Sequence, residues 1–249
     1  MLSKIHTNQE IENLEHELRL KRLQDDFVAT ISHELRTPLG FIKGYATTLL
    51  REDTTWNNGT RREFLIIIDE ETDRLCELID NLLDSSRLQS GTLRMEFQPM
   101  KLNTLLKDVC LRAQSFEKNQ EIELDIYKSK FHVQVDPTRI AQVIENLLSN
   151  AQKYAPDSKV KITLNKRKDH ALISVRDFGP GIDPDHLDHI FNRFYQIPNT
   201  TSSVRGTGLG LFICRRIIDA HDGEIFAEST YGEGSTFHIS LPLDQTSGN

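Results

Sequence analysis

Phe27-Val-Ala-Thr-Ile-Ser-His33-Glu34-Leu35-Arg36-Thr37-Pro38-Leu39 opens a long helical pattern. Apolar side chains recur at Phe27, Ile31, Leu35, Leu39, Ile42 and Leu49, spacings that keep one face of a helix apolar. Polar residues and a glycine fill Thr54 to Thr60, a common length for a helix–helix connection. A second pattern follows, with Phe64, Ile68, Leu75, Leu78, Leu82 and Leu83 on one face, and should end near Ser90-Gly91, where glycine suits the position after a helix. Residues 25–92 therefore read as a helical hairpin. Each helix has about 28 residues and is roughly 40 Å long. Two such helices cannot bury a broad apolar face alone, and pairing two copies into a dimeric four-helix bundle solves that problem.

Working outward, residues 1–24 are highly charged, with Ile11, Leu14 and Leu18 in a heptad-like stripe. They read either as a frayed end or as a helical linker that carries a signal. Beyond Gly91 the texture changes. Glu121 to Tyr127 and Phe131 to Val135 alternate like strands. Asp136-Pro137 opens a helix through Ile140, Val143, Ile144, Leu147 and Leu148. Strand-like runs Val160 to Leu164 and Leu172 to Val175, a glycine-rich region, a helix over Leu209 to His221, and strands Glu224 to Ser229 and Thr236 to Leu241 complete residues 93–243. This part is α+β in texture, with helices packed on a mixed sheet. Residues 244–249 form a tail.

Composition sets limits. The chain has 249 residues, enough for two domains, and a formal net charge of −7. Its longest clean apolar run, Phe64 to Ile68, falls far short of the roughly 20 residues that span a bilayer. No secretory signal pattern opens it. Cys76, Cys110 and Cys214 lie far apart, which argues against a disulfide framework or a cysteine zinc site and suits a reducing compartment. No basic stripe points to nucleic acid.

Four constellations carry chemistry. His33 lies beside Ser32 and Glu34; a lone helical histidine is usually solvated, and a zinc HExxH motif fails because position 37 is Thr. Pro38 leaves the Glu34 carbonyl without its helical partner, so the helix should bend beside His33. Such a bend could let Glu34 approach the imidazole and fix its tautomer, leaving Nε2 as nucleophile. Thr37 sits one turn on, on the same face. Next, Asn146, Asn150 and Lys153 share one helical stripe, while Leu147, Leu148 and Ala151 face the core. Amide oxygens suit Mg²⁺, and a lysine meets phosphate as a point charge. Third is Asp177-Phe-Gly179-Pro-Gly181, after an apolar strand. Fourth is Gly206-Thr207-Gly208-Leu209-Gly210, opening a helix, whose backbone N–H groups suit phosphate. It is neither a Walker A motif nor a dinucleotide fingerprint. Gly232-Glu-Gly234-Ser-Thr236 reads as a tight turn between the last strands.

Together, in this order, these segments resemble the catalytic core of a two-component sensor histidine kinase, over about residues 24–243. The His33 segment looks like the H-box, Asn146 to Tyr154 the N-box, Asp177 to Gly181 the G1 box, Phe191 to Phe194 the F-box, and Gly206 to Gly210 the G2 box. The resemblance implies a dimerisation and phosphotransfer hairpin followed by an α/β sandwich ATP-binding domain of the gyrase–Hsp90–kinase (GHKL, Bergerat) type. It implies His33 as phosphoacceptor, Glu34 as general base and Thr37 as the residue assisting dephosphorylation of a partner response regulator. By the same resemblance Asn150 ligates Mg²⁺ with support from Asn146, Lys153 contacts phosphate, Tyr154 packs on adenine or ribose, and Asp177 accepts from the adenine amino group. Gly179 and Gly181 allow close approach. Tyr195 to Arg205 look like the ATP lid, which Gly206, Gly208 and Gly210 close. Many relatives carry a basic residue where this chain has Gln196; Arg193 or Arg205 is then left to meet the γ-phosphate. The resemblance further implies ATP and Mg²⁺ as cofactors, a homodimer, a response regulator receiver domain as partner, an upstream sensor domain, a cytoplasmic catalytic piece and no nucleic-acid partner. A membrane anchor in the full-length protein stays open. Two rival readings remain: a GHKL-type ATPase clamp, which would not need the His33 hairpin, and a non-catalytic ATP-binding dimer scaffold.

Overall fold

The computed structural model describes residues 28–90, 92–116, 121–126, 132–156, 158–198 and 207–244. Residues 1–27, and with them the charged stretch before the hairpin, lie outside that set. The chain divides into two compact units, one through Leu82 and the other from Leu83. The first is a helical hairpin. Helix α1 covers 28–49 and continues through Pro38; α2 runs Asn58–Gln89 and carries on into the second unit. The connection is pinned by aromatic residues. Trp56 packs edge-on against Phe64 at 5.2 Å, and Tyr45 lies 5.1 Å from the same ring. The Trp56 Nε1–H donates to the Thr48 carbonyl at 3.1 Å, which gives a largely apolar ring its one polar partner.

The second unit is a two-layer α/β sandwich. Its elements after α2 are β1 (Gln98–Met100), α3 (Leu102–Phe116), β2 (Ile122–Ile126), β3 (Val133–Val135), α4 (Pro137–Tyr154), β4 (Val160–Arg167), β5 (His170–Asp177), α5 (Pro184–Leu187), α6 (Gly210–Asp219), β6 (Glu224–Thr230) and β7 (Gly234–Pro242). Five strands form a mixed sheet in the order β2-β4-β5-β7-β6; β2 and β4 are parallel and the other pairs antiparallel. β1 and β3 make a separate antiparallel pair. Alternate residues of the sheet face α3, α4 and α6: Val160, Ile162 and Leu164 on β4, Ala171, Ile173 and Val175 on β5, and Phe237, Ile239 and Leu241 on β7 are all buried.

Helix α4 starts where the sequence placed it. The Asp136 Oδ1 accepts from the backbone N–H groups of Thr138 and Arg139 at 3.0 and 3.2 Å, and Pro137 occupies the first turn, where a missing N–H costs nothing. The second Asp136 oxygen accepts from the Glu96 N–H. Arg139 pairs with Asp84 near the end of α2, and Gln142 donates to the same carboxylate at 3.0 Å. Three elements lay outside the sequence reading: the three-residue strand β1, helix α3 and helix α5. Helix α3 has its buried residues at Leu102, Leu105, Leu106, Val109 and Cys110, a clean helical stripe that the charged residues around it obscured. The four-residue α5 is too short to leave a period.

Candidate functional site

On α1, His33 is exposed and Glu34 half-buried. No hydrogen bond or ion pair joins them among the described residues. Although Pro38 is present, the two consecutive side chains diverge as they do on any helix; the approach of Glu34 to the imidazole is absent from this state. The Thr37 hydroxyl donates to the His33 carbonyl at 3.1 Å, which occupies one of its bonds locally.

The second unit gathers the other constellations around the ends of α4, β5 and α6. Asp177 closes β5 and is 9% exposed. Its Oδ1 accepts from the Gly179 N–H at 3.0 Å and the Ser235 N–H at 3.2 Å. Those two bonds lock the carboxylate and leave Oδ2 as an acceptor for an outside donor. The neighbouring backbones come close only because side chains are missing. A Cβ on Gly179 would stand 2.5 Å from that of Ala155, and one on Gly234 would meet the Asp177 carbonyl at 2.2 Å. Gly181 adopts φ +73 with the Thr230 carbonyl equally close. Gly234 and Ser235 thus belong to this site; sequence reasoning had treated their turn as a plain hairpin.

Asn146, Asn150 and Lys153 lie half-buried along one stripe of α4, while Leu147, Leu148 and Ala151 are buried on the other side. Asn146 stands over the first turn of α6: its Oδ1 would be 3.5 Å from a Cβ on Gly210. Burial pushes the neighbouring Cys214 thiol up to about 12, against the pull of a hydrogen bond from Asn146, so it is an inert core group. Tyr154 is 45% exposed at the end of α4, with the Lys153 ammonium 5.7 Å above its ring.

Gly208 has φ +68, and a Cβ there would collide with the backbone of Phe194 and Tyr195 at 2.7 and 2.8 Å. The Phe194 N–H donates to the Gly208 carbonyl at 2.9 Å. Thr207 and Leu209 are buried, and the Thr207 hydroxyl accepts from the Leu209 N–H at 3.3 Å. Arg193 stacks over Phe194 at 4.3 Å, and burial lowers its pKa from the usual arginine value. Arg205 and Gly206 lie outside the described residues.

A locked carboxylate at a strand end, an amide stripe and a glycine-opened helix therefore converge in one unit, and the chain that carries them is similar to known proteins. Residues 23–91 match the His Kinase A (phospho-acceptor) domain, and residues 135–245 match the histidine kinase-, DNA gyrase B- and HSP90-like ATPase family. The solved catalytic domain of histidine kinase ThkA is 34% identical, covering 59% of this chain and 96% of that one with a TM-score of 0.52. The chain belongs to the histidine kinase family. Sensor protein SrrB of Staphylococcus aureus is 32% identical over 235 residues, 93% of this chain and 40% of that protein; the kinase chain thus spans about two fifths of its curated relative. Histidine kinase ThkA solved in complex with response regulator protein TrrA is 25% identical, covering 95% of this chain and 67% of that one with a TM-score of 0.65. Within the kinase, no described helix is long and apolar enough to cross a membrane.

Proposed function

We propose that this kinase phosphorylates His33 from ATP and passes the phosphoryl group to an aspartate on a response regulator, working as a homodimer. The observation that carries the nucleotide half is the Asp177 carboxylate, locked by two backbone donors with one oxygen left to accept. Asp177 Oδ2 is the acceptor for the adenine amino group, beside backbone that Gly179 and Gly181 allow to approach. Tyr154 supplies a flat face for adenine or ribose. Gly208 and Gly210 present N–H groups to phosphate at the positive end of α6, in the turn that Gly206, Thr207 and Leu209 complete. Lys153 adds a cation, and Arg193 or Arg205 meets the γ-phosphate. The Asn150 and Asn146 amide oxygens fit a hard cation. Bound there, Mg²⁺ neutralises phosphate charge.

The transfer is an in-line displacement. The neutral His33 Nε2 lone pair forms the N–P bond as the bond between the γ-phosphorus and the β,γ-bridging oxygen breaks, and ADP leaves with that electron pair. The Nδ1 proton passes to Glu34, whose side chain must first swing toward the ring. Thr37 serves a separate, opposing activity by holding a water that attacks the regulator's aspartyl phosphate and releases inorganic phosphate. The homodimer reading rests on the apolar faces of the hairpin, and the regulator reading on the ThkA–TrrA likeness. In the test, the kinase and its His33→Ala variant are incubated with Mg²⁺ and γ-labelled ATP. The expected result is an acid-labile, alkali-stable label that the variant lacks. Phosphate release without label on the protein would overturn the proposal in favour of an ATPase clamp.

A further inference from the structure

A polar cluster on α5 and the turn after it joins Tyr195, the first residue of the lid-like segment, to two histidines without an assigned role. His186 Nδ1 and the Tyr195 hydroxyl share a hydrogen bond of 2.7 Å. The Tyr195 ring also leans on His189, with centroids 5.5 Å apart. His186 is itself held in place, since the Asp183 side chain caps α5 and the His186 N–H donates to the Asp183 carbonyl at 2.9 Å. Both His186 and Tyr195 are half-buried, where a lost partner matters more than on an open surface.

Tyr195 is the point at which two strands of backbone cross. Phe194 adopts φ +67, a conformation unfavourable for a residue with a side chain. It is kept there by its N–H donating to Gly208 and by the Tyr195 N–H donating to the Asn192 carbonyl at 3.2 Å. The Phe194–Tyr195 peptide in turn sits where a Gly208 Cβ would be. The position of Gly208, and hence of the first N–H groups of α6, is therefore set by where the Phe194–Tyr195 peptide lies. The hydroxyl bond to His186 is what ties that peptide to α5.

We propose that His186 and Tyr195 are positioning residues for the phosphate end of the nucleotide site, acting through Phe194 and Gly208. The pair would act without touching the nucleotide. It fixes the backbone that does touch it, and so it should affect ligands in proportion to the phosphates they carry. The inference rests on the nucleotide reading of this site given above.

The test compares Tyr195→Phe, His186→Ala, the double variant and His186→Asn, each measured for direct binding of ATP and for competition by adenosine. Asparagine can place a side-chain polar atom near the position of Nδ1 and serves as the rescue. Losing one half-buried hydrogen bond predicts ATP binding weaker by about threefold to tenfold in either single variant. The double variant should be no worse than the singles, His186→Asn should recover most of the affinity, and adenosine should compete as in the wild type. Equal weakening toward ATP and adenosine, unchanged ATP affinity in both singles, or fully additive losses would overturn the proposal. Failure of the wild-type kinase to bind ATP at all would instead bring down the nucleotide reading itself, and this inference with it.

Discussion

The two units solve the same problem of burial in opposite ways. The α/β unit closes its own core: Leu106, Ile140, Ile144, Ile162, Ile173 and Ile213 are essentially inaccessible. The hairpin leaves large apolar side chains in water, with Leu39 and Leu65 more than half exposed and Phe41 and Ile66 nearly so. A sheet with helices on one face offers each apolar side chain neighbours on several sides, whereas two helices have only one line of contact. In the proposed homodimer a second copy supplies the hairpin's missing neighbours, which would tie its stability to protein concentration. Stability in the second unit is a property of the single chain.

That contrast can be broken or sharpened experimentally. The largest effect belongs to the closed core. Ile144→Ala should cost about 2–5 kcal/mol, read as a lower denaturation midpoint for the second unit with the hairpin's own transition unmoved. A shared loss would mean the two units unfold as one. Next, Ile66→Lys should weaken self-association by about a hundredfold, the rough value of burying one isoleucine per copy. Sedimentation should show this while the α/β unit keeps its midpoint. If the variant stays as dimeric as the wild type, Ile66 lies outside the interface.

A smaller effect is expected at Gly208→Ala, where positive φ and the crossing backbone both resist a side chain. ATP affinity should fall about tenfold, in line with roughly 1–2 kcal/mol for a left-handed residue, with the hairpin untouched in calorimetry. The smallest effect concerns pH. His221 is buried; its Nε2 accepts from the Asp136 N–H at 2.9 Å and its Nδ1–H donates to the Ile217 carbonyl at 2.7 Å. Burial lowers its pKa from the ordinary 6.5, against the opposing pull of the Ile217 carbonyl, Asp136 and Asp222. In the window between the folded and unfolded values the unfolded chain binds more protons, so stability rises with pH there. The contribution is complete above about pH 6.5 and is lost on acidification through that window. His221→Gln should flatten this part of the second unit's stability–pH curve. A slope that survives the substitution would assign it to other groups.

Much of this was legible in the chain. The capped start of α4 at Asp136-Pro137, the polar stripe Asn146, Asn150 and Lys153 opposite Leu147 and Leu148, and the glycine opening of α6 are local patterns set by neighbours within one or two turns. Helix α3 was equally local and was missed, because Lys107, Asp108 and Arg112 between its apolar residues blurred the period. The Gly234–Ser235 support for Asp177 and the His186–Tyr195 bond join residues 58 and 9 positions apart, and no helix or strand period connects them.

The sequence by itself determined the segments proposed to carry the chemistry and the run of helices and strands that holds most of them, since side-chain type and apolar spacing are properties of short segments. Only the tertiary structure decided which oxygen of Asp177 is spent on the backbone, why Gly208 admits no side chain, and that Tyr195 anchors the peptide beside it. Those are distances between segments far apart along the chain, fixed by sheet register and helix packing rather than by any local preference.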